Sequence, residues 1–321
     1  MTNPSAPARF PALRLTLAMV ILGTVGAFAT QAGLDPVTMV FWRCVFATAF
    51  LAAWCLVRGY LPDRGLAPRR LALAALGGVC MVLSWIAFFA GFALTSIATT
   101  TIVYHIQPFF VVLLGAALFR ERLTLDPLLW MAGAFAGVVL ASGLATGPGH
   151  PGPAWGLGIL LTLGAALLYA VATLLAKGLG RQRPEVTTLC QTSVGILLLA
   201  PFAHLSGHVP AASWGWLAGI GILHTGIAYV LMYSAYPGLA TPVIGGLTFI
   251  YPVVAILIDW RVYGHPLTWG QGAGMLLIAC GTLGVRLGWR FPRGLRARVS
   301  PGPRAGLART ASAAGEPRTG R

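Results

Sequence analysis

Ten apolar segments of about 20 residues run through the chain, and short polar or turn-forming stretches separate them. A helix needs about 20 consecutive apolar residues to cross the hydrocarbon core of a bilayer, whereas the strands of a membrane barrel alternate over about 10 residues. The pattern therefore predicts an all-α integral membrane protein with ten transmembrane helices. The predicted spans lie at 14–33, 36–57, 70–93, 97–119, 127–146, 153–176, 185–205, 213–236, 239–260 and 268–288.

The composition agrees with this pattern and excludes a water-soluble protein. Charged residues make up 9% of the 321 residues, 57% are hydrophobic, and the mean hydropathy is +0.80. Because soluble domains carry about 25% charged residues, so few charges cannot cover a soluble surface. The net charge of +15 does not indicate nucleic-acid binding, because the basic residues lie in short loops and in the C-terminal tail.

The distribution of basic residues predicts how the chain is oriented. If the N-terminus is cytoplasmic, the segments on that side hold 20 of the 22 Lys and Arg residues, while the outer loops hold only Arg261. Arg43 lies inside a span. Short loops rich in Lys and Arg stay in the cytoplasm, so both termini are predicted there. Residues 1–13 form the cytoplasmic N-terminus, and residues 291–321 are predicted to be a disordered basic tail.

The second half of the chain repeats the first at an offset of 144 residues. Each half holds five spans, and because five is odd the second half must enter the membrane upside down. We therefore predict two inverted five-helix repeats, residues 14–147 and 153–290. Many secondary transporters are built this way and bind substrate near the midplane, between the halves. The matches are Gln107-Pro108-Phe109 with Tyr251-Pro252-Val253, Leu123-Thr124 with Leu267-Thr268, and Gly137 with Gly281.

Two matched prolines, Pro108 and Pro252, lie inside the fourth and ninth spans. A proline within a helix removes one backbone hydrogen bond and frees a carbonyl group at membrane depth. We predict that both prolines break their helices and act as hinges.

Three motifs stand out in the first half, namely Phe41 to Ala47, Gln107-Pro108 followed by Leu118 to Thr124, and Gly137. Together with the repeat, these motifs resemble the drug/metabolite transporter superfamily, in its ten-helix EamA branch. The resemblance covers about residues 14–290 and implies a secondary transporter. Within the branch, the length and general pattern are similar to the YddG-type amino-acid exporters. The second half departs from the pattern, since Gly264-His265-Pro266 stands where the first half has Arg120-Glu121-Arg122.

Polar and aromatic side chains at membrane depth are the candidates for a substrate site, because such groups must face the protein interior or water. In the fourth span they either line a cavity or form hydrogen bonds between helices. Arg43 either anchors a substrate carboxylate or pairs with backbone carbonyls. Glu121 is expected to pair with Arg120, Arg122 or another cytoplasmic arginine. The candidate binding residues are Tyr104, His105, Gln107, Tyr251, Trp85, His224, Arg43, Trp42 and Tyr229.

The expected function is a secondary transporter that exports small polar metabolites, amino acids foremost, across the bacterial inner membrane by alternating access. A multidrug or nucleoside- or sugar-type exporter is the alternative within the superfamily. An intramembrane enzyme or a receptor is the alternative from another class. Because the chain has no P-loop, GxSxG or HExxH motif, we expect no catalytic activity, ATPase partner, cofactor or metal. The expected partners are a small-molecule substrate and membrane lipid, and the sequence leaves monomer and homodimer open.

Overall fold

The computed structural model describes residues 10–61, 67–95, 97–121, 124–142, 154–180, 182–204, 209–264 and 267–291. Within these ranges every regular element is a helix. The predicted disordered tail, most of the N-terminal segment and the connection between the two predicted repeats lie outside the described residues.

The helices follow one another with short connections. A π-helix (Ile220–Ile227) joins α10 to α11, and a 3-10 turn (Tyr236–Gly238) follows α11. The helices are α1 (Pro11–Gly23), α2 (Val25–Ala32), α3 (Pro36–Val57), α4 (Pro68–Leu94), α5 (Ile97–Tyr104), α6 (Gln107–Phe119), α7 (Leu125–Ala141), α8 (Trp155–Gly178), α9 (Pro184–Leu199), α10 (Ala211–Gly219), α11 (Ala228–Ala235), α12 (Thr241–Thr248), α13 (Ile250–Tyr263) and α14 (Trp269–Leu287).

Seven helical stretches among the described residues are long and apolar enough to cross a membrane, so the chain is a multi-pass membrane protein. The helix α7 is apolar but shorter. Helices α7, α9 and α14 lie where the fifth, seventh and tenth spans were predicted. The seven stretches are Pro11–Ala32, Pro36–Val57, Pro68–Gly91, Thr99–Phe119, Trp155–Gly178, Ala211–Gly238 and Thr241–Tyr263.

The fourth and ninth spans are each broken in the middle, as the prolines predict. In the fourth span α5 ends at Tyr104 and α6 begins at Gln107, and in the ninth span α12 ends at Thr248 and α13 begins at Ile250. Pro108 and Pro252 follow these breaks within the first turn of α6 and α13. Because proline has no N–H group and clashes with the carbonyl of the preceding turn, the helix cannot run straight through.

Two further irregularities were not predicted, because neither leaves a trace in the apolar pattern. The first span breaks at Thr24, between α1 and α2, where the Thr24 hydroxyl donates to the Ile21 carbonyl at 2.8 Å. In the eighth span the π-helix is supported by side chains that reach carbonyls five residues back. The Thr225 hydroxyl donates to Ile220 O at 3.1 Å, and His224 Nδ1 lies 3.3 Å from Gly219 O. Such π segments often mark functional sites.

Helices α7 and α14 pack at close range because glycines line their crossing. A Cβ atom at Gly137 would lie 2.6 Å from the carbonyl oxygen of Gly274, and one at Gly281 would lie 2.5 Å from that of Trp130. Only glycine permits this approach of two backbones. The small residues of the fifth and tenth spans therefore serve packing within the chain.

Candidate functional site

Arg43 is the one positive charge that the described residues bury at membrane depth. It lies on α3 with 7% of its surface exposed. Its Nε donates to the Thr225 hydroxyl at 2.5 Å, and its guanidinium carbon lies 3.9 Å from the centre of the Trp85 ring. The π-helix of the eighth span and the face of a tryptophan thus hold the guanidinium group in place.

No carboxylate among the described residues forms an ion pair with Arg43. The two described ion pairs join Glu121 to Lys177 and Asp35 to His204. A buried charge without a counter-ion is costly, so this position favours an anionic group.

Trp85 and Tyr229 pack against each other beside Arg43, with ring centres 6.1 Å apart in an edge-to-face arrangement. Tyr229 contacts Tyr233 in the same way at 5.6 Å, and the Tyr233 hydroxyl donates to Gln191 Oε1 at 2.7 Å. These contacts extend the aromatic cluster from α4 through the eighth span to α9.

His105 lies at the break of the fourth span, and its surroundings fix its tautomer. Its Nδ1 lies 2.6 Å from the Thr101 carbonyl oxygen, which can only accept, so Nδ1 carries the proton. The neutral ring therefore offers Nε2 as an acceptor. The ring lies 5.8 Å from that of Tyr251 and 6.3 Å from that of Phe249, both on the ninth span.

Tyr104 and His105 have different aromatic ring contacts among the described residues, although they are adjacent in the chain. Tyr104 packs against Phe88 at 4.5 Å and Tyr169 at 6.0 Å, on the third and sixth spans. The rings of Tyr104 and His105 therefore pack against different helices. Beyond the break Gln107 is buried, and its amide nitrogen has no hydrogen-bond partner among the described residues.

His224 and Trp42 lie in different surroundings from Trp85. His224 Nε2 is 2.8 Å from the Thr24 hydroxyl, and its ring lies 4.6 Å from that of Phe28, so it joins the eighth span to the break in the first. Trp42 packs against Trp214 at 4.7 Å. Trp42 thus points away from the aromatic cluster around Arg43, its neighbour in the sequence.

Glu121 joins three spans at one end of the bundle. Its Oε1 accepts from Lys177 Nζ at 2.5 Å, and its Oε2 accepts from the backbone N–H of Thr241 at 2.9 Å and from the Thr241 hydroxyl. Burial raises the pKa of this carboxyl, but the hydrogen bonds from Lys177 and Thr241 outweigh burial and hold the pKa below its usual value. The expected pairing with an arginine is corrected, since the described partner is a lysine on α8.

The list of candidate binding residues leaves out four residues that the structure brings to this region, Thr225, Gln191, Tyr233 and Tyr169. Threonine and tyrosine are common in packed membrane helices, so residue type alone gives no signal. Gln191 carried a signal, because an uncharged amide at membrane depth needs partners just as His105 does.

Comparisons with known proteins identify the family of the chain. A model of the EamA-like transporter family matches residues 10–143 and 156–287. The chain belongs to the EamA-like transporter family. The superfamily expected from the sequence is thereby confirmed, and the narrower likeness to YddG-type exporters stays a prediction.

Relatives of the chain cover most of its length. It is 32% identical over 271 residues to a Bacillus subtilis (strain 168) protein named uncharacterized transporter YxxF, spanning 84% of this chain and 87% of that one. An Archaeoglobus fulgidus protein named uncharacterized transporter is 26% identical over 283 residues, spanning 88% and 97%. A crystal structure with 21% identity superposes with a TM-score of 0.75 over 86% of this chain and 98% of that one, which shows a shared fold.

Proposed function

We propose that this EamA-family transporter exports small zwitterionic metabolites, amino acids foremost, across the bacterial inner membrane by alternating access. The observation that carries the substrate class is buried Arg43, which has no carboxylate partner among the described residues. A guanidinium group binds a carboxylate through paired, charge-assisted hydrogen bonds. The acceptor Nε2 of His105 is suited to an ammonium group.

The proposal includes ten spans arranged as two inverted repeats, and contacts between matched residues support it. Three side-chain pairs are separated by the 144 residues of the sequence repeat. Two equivalent residues touch each other only where a two-fold axis passes between them, as at the centre of an isologous interface. The pairs are Thr48 and Thr192 at 2.8 Å, Trp85 and Tyr229 at 6.1 Å, and His105 and Phe249 at 6.3 Å.

The crossing of α7 and α14 supports the same symmetry. Gly137 contacts Gly274 and Ile278 on α14, while Gly281 contacts Trp130 and Ala134 on α7. At an offset of 144 residues Gly137 matches Gly281, Trp130 matches Gly274, and Ala134 matches Ile278. The breaks of the fourth and ninth spans also fall at matched positions, His105 and Phe249.

Alternating access is supported by the contacts at the end that we assign to the cytoplasm. There Glu121 ties the end of the fourth span to the end of the sixth and the start of the ninth. These spans belong to both halves, so the halves are locked together at this end. Opening towards the cytoplasm requires these contacts to break.

Transport by purified protein in liposomes tests the substrate class. We expect counterflow of neutral amino acids and none of the matched amines that lack the carboxylate. Arg43→Gln should raise the KM for amino acids at least about tenfold, because hydrogen bonds to charged groups contribute about 1.5–3 kcal/mol. His105→Ala and Tyr104→Ala should raise KM more modestly, while Leu114→Ala, on the exposed surface of α6, should not.

One further variant and a stability measurement complete this experiment. Arg43→Lys keeps the charge, so it should retain part of the affinity if the anchor is electrostatic. Thermal unfolding of each variant separates a lost contact from a lost fold. Counterflow of cationic drugs or nucleosides by the wild-type protein, with none of any amino acid, would contradict the proposal.

A further inference from the structure

A small internal cavity lies beside the two residues that hold the Arg43 guanidinium group, Trp85 and Thr225. Its volume is about 10 Å³, room for one water molecule. It lies between α4, α9 and the eighth span, and Trp85 and Thr225, which hold the Arg43 guanidinium group, both line it. Gln191 lines it from α9.

The side chain of Gln191 carries an unused donor at this cavity. Only 4% of the residue is exposed, and Oε1 accepts from the Tyr233 hydroxyl at 2.7 Å. The amide nitrogen Nε2 is buried and has no hydrogen-bond partner in the described part of the chain. Buried polar groups are almost always paired, so an unpaired amide beside a cavity indicates a missing ligand or water.

Two glycines on α4, Gly77 and Gly78, pack against Gln191. A Cβ atom at Gly77 would lie 2.7 Å from Gln191 Nε2, and one at Gly78 would lie 2.8 Å from Gln191 Cα. Any larger residue would push α9 away from α4 and displace the amide. Glycine at both positions thus lets α9 pack closely against α4 beside the cavity, and because Oε1 is bonded to Tyr233 it is the nitrogen end of the amide that remains unpaired.

We propose that Gln191 and Arg43 together form the subsite for the substrate carboxylate. This inference rests on the proposed function and extends it to a second span, the seventh. Arg43 has only donors, and the free end of the Gln191 amide is also a donor, so both suit a group that only accepts. A carboxylate is such a group, whereas a metal cation would be repelled by Arg43 and would find no carboxylate among the described lining residues.

The subsite is contracted in this structure, since its volume matches one water molecule rather than a carboxylate. Its walls come from both halves, namely α4 from the first and α9 with the eighth span from the second. Movement of one half against the other therefore changes its size. Substrate binding and the motion that transports it are coupled at this point.

Substitutions at Gln191 test the proposal through the substrate's carboxylate. Gln191→Leu should raise the KM for a transported amino acid about tenfold with little change in kcat. Gln191→Glu should raise it further, because the new carboxylate competes for Arg43. Tyr233→Phe frees the amide to rotate and should give a smaller increase. Each variant is compared with wild-type protein on amino acids of different side chains, which all share the carboxylate.

The controls separate this proposal from the proposed function. Wild-type protein and Arg43→Gln report on amino-acid transport itself, while the Gln191 and Tyr233 variants report on the subsite alone. If Gln191→Leu does not fold, as judged by thermal unfolding, Gln191→Glu and Tyr233→Phe carry the test. Wild-type KM values in folded Gln191 and Tyr233 variants would overturn the subsite and assign the amide to packing or to a bound water. A wild-type protein that moves no amino acid would overturn both proposals.

Discussion

Glu121 connects three spans at one end of the helix bundle through a single side chain. Its two oxygens accept from an ammonium group, a backbone N–H and a hydroxyl, and these donors belong to the sixth and ninth spans. At the matched place in the second half the sequence has Gly264-His265-Pro266. The second half therefore has no glutamate at the position that matches Glu121, and the two halves differ in sequence at this point.

The lowered pKa of Glu121 predicts a stability that depends on pH. A carboxyl whose folded-state pKa is depressed stabilises the fold above its unfolded pKa, and this contribution is lost as pH falls through the folded value. Glu121→Gln should lower the free energy of unfolding near neutral pH by about 1–2 kcal/mol, since the group is partly exposed and its pairing is partly screened. Thermal unfolding in detergent from pH 7 down to about pH 3 measures the effect.

The variant should lose the part of the acid dependence that belongs to this group. Lys177→Met is the matched change on the partner and should destabilise the protein in the same direction. The charged group that faces Glu121 is Lys177, with Arg120 beside it in the chain. Identical unfolding profiles for wild type and Glu121→Gln over the whole range would show that the contacts do not stabilise this state.

At the scale of helices, the sequence predicted where the elements lie but not their internal geometry. Apolar runs fix helix positions because each span must fill the bilayer, and the Pro108 and Pro252 breaks follow from backbone chemistry. The π-helix around His224 and the break at Thr24 depend on side-chain hydrogen bonds to nearby carbonyls, which hydropathy does not record.

The sequence indicates candidate site residues by their type and depth. Arg43, Trp85 and Tyr229 stand out because a charge or a large aromatic at membrane depth is conspicuous in a sequence, and the structure brings these three together. The direction in which a side chain turns depends on which helices pack together, so the sequence does not show that Trp42 packs against Trp214 or that Gln191 lines the cavity beside Trp85. Local patterns specify residue type and depth, and only the packing of distant segments specifies direction.

The two broken helices give a prediction about gating. Pro108→Ala and Pro252→Ala each restore a backbone donor, so stability should be unchanged or higher, by about 0.5–1.5 kcal/mol per hydrogen bond gained. If the breaks let the fourth and ninth spans bend between states, transport should slow in each variant and further in the double variant. Initial rates in liposomes, with thermal unfolding beside them, separate these effects. A double variant with the wild-type rate would mean that gating does not use the breaks.

Across the whole molecule, contacts between distant loops agree on which span ends share a side of the membrane. Glu121 and Lys177 bring the ends of the fourth and sixth spans together. At the opposite end the backbone N–H of His204 donates to the Thr38 hydroxyl at 3.0 Å, which joins the end of the seventh span to the start of the second. The ten alternating crossings predicted from the sequence would place both members of each pair on the same side of the membrane.

The same topology predicts which loops face the cytoplasm, and this can be measured directly. Single cysteines placed at Arg69 and in the tail after Trp289 should resist a membrane-impermeant thiol reagent applied from the periplasmic side, while a cysteine at Gly149 should react. The reason is electrostatic, since arginine-rich loops are retained on the cytoplasmic side during insertion. Native cysteines are first replaced by alanine so that the label reports one position. Strong labelling at Arg69 or in the tail, with none at Gly149, would reverse the orientation and place the Glu121 lock on the periplasmic face.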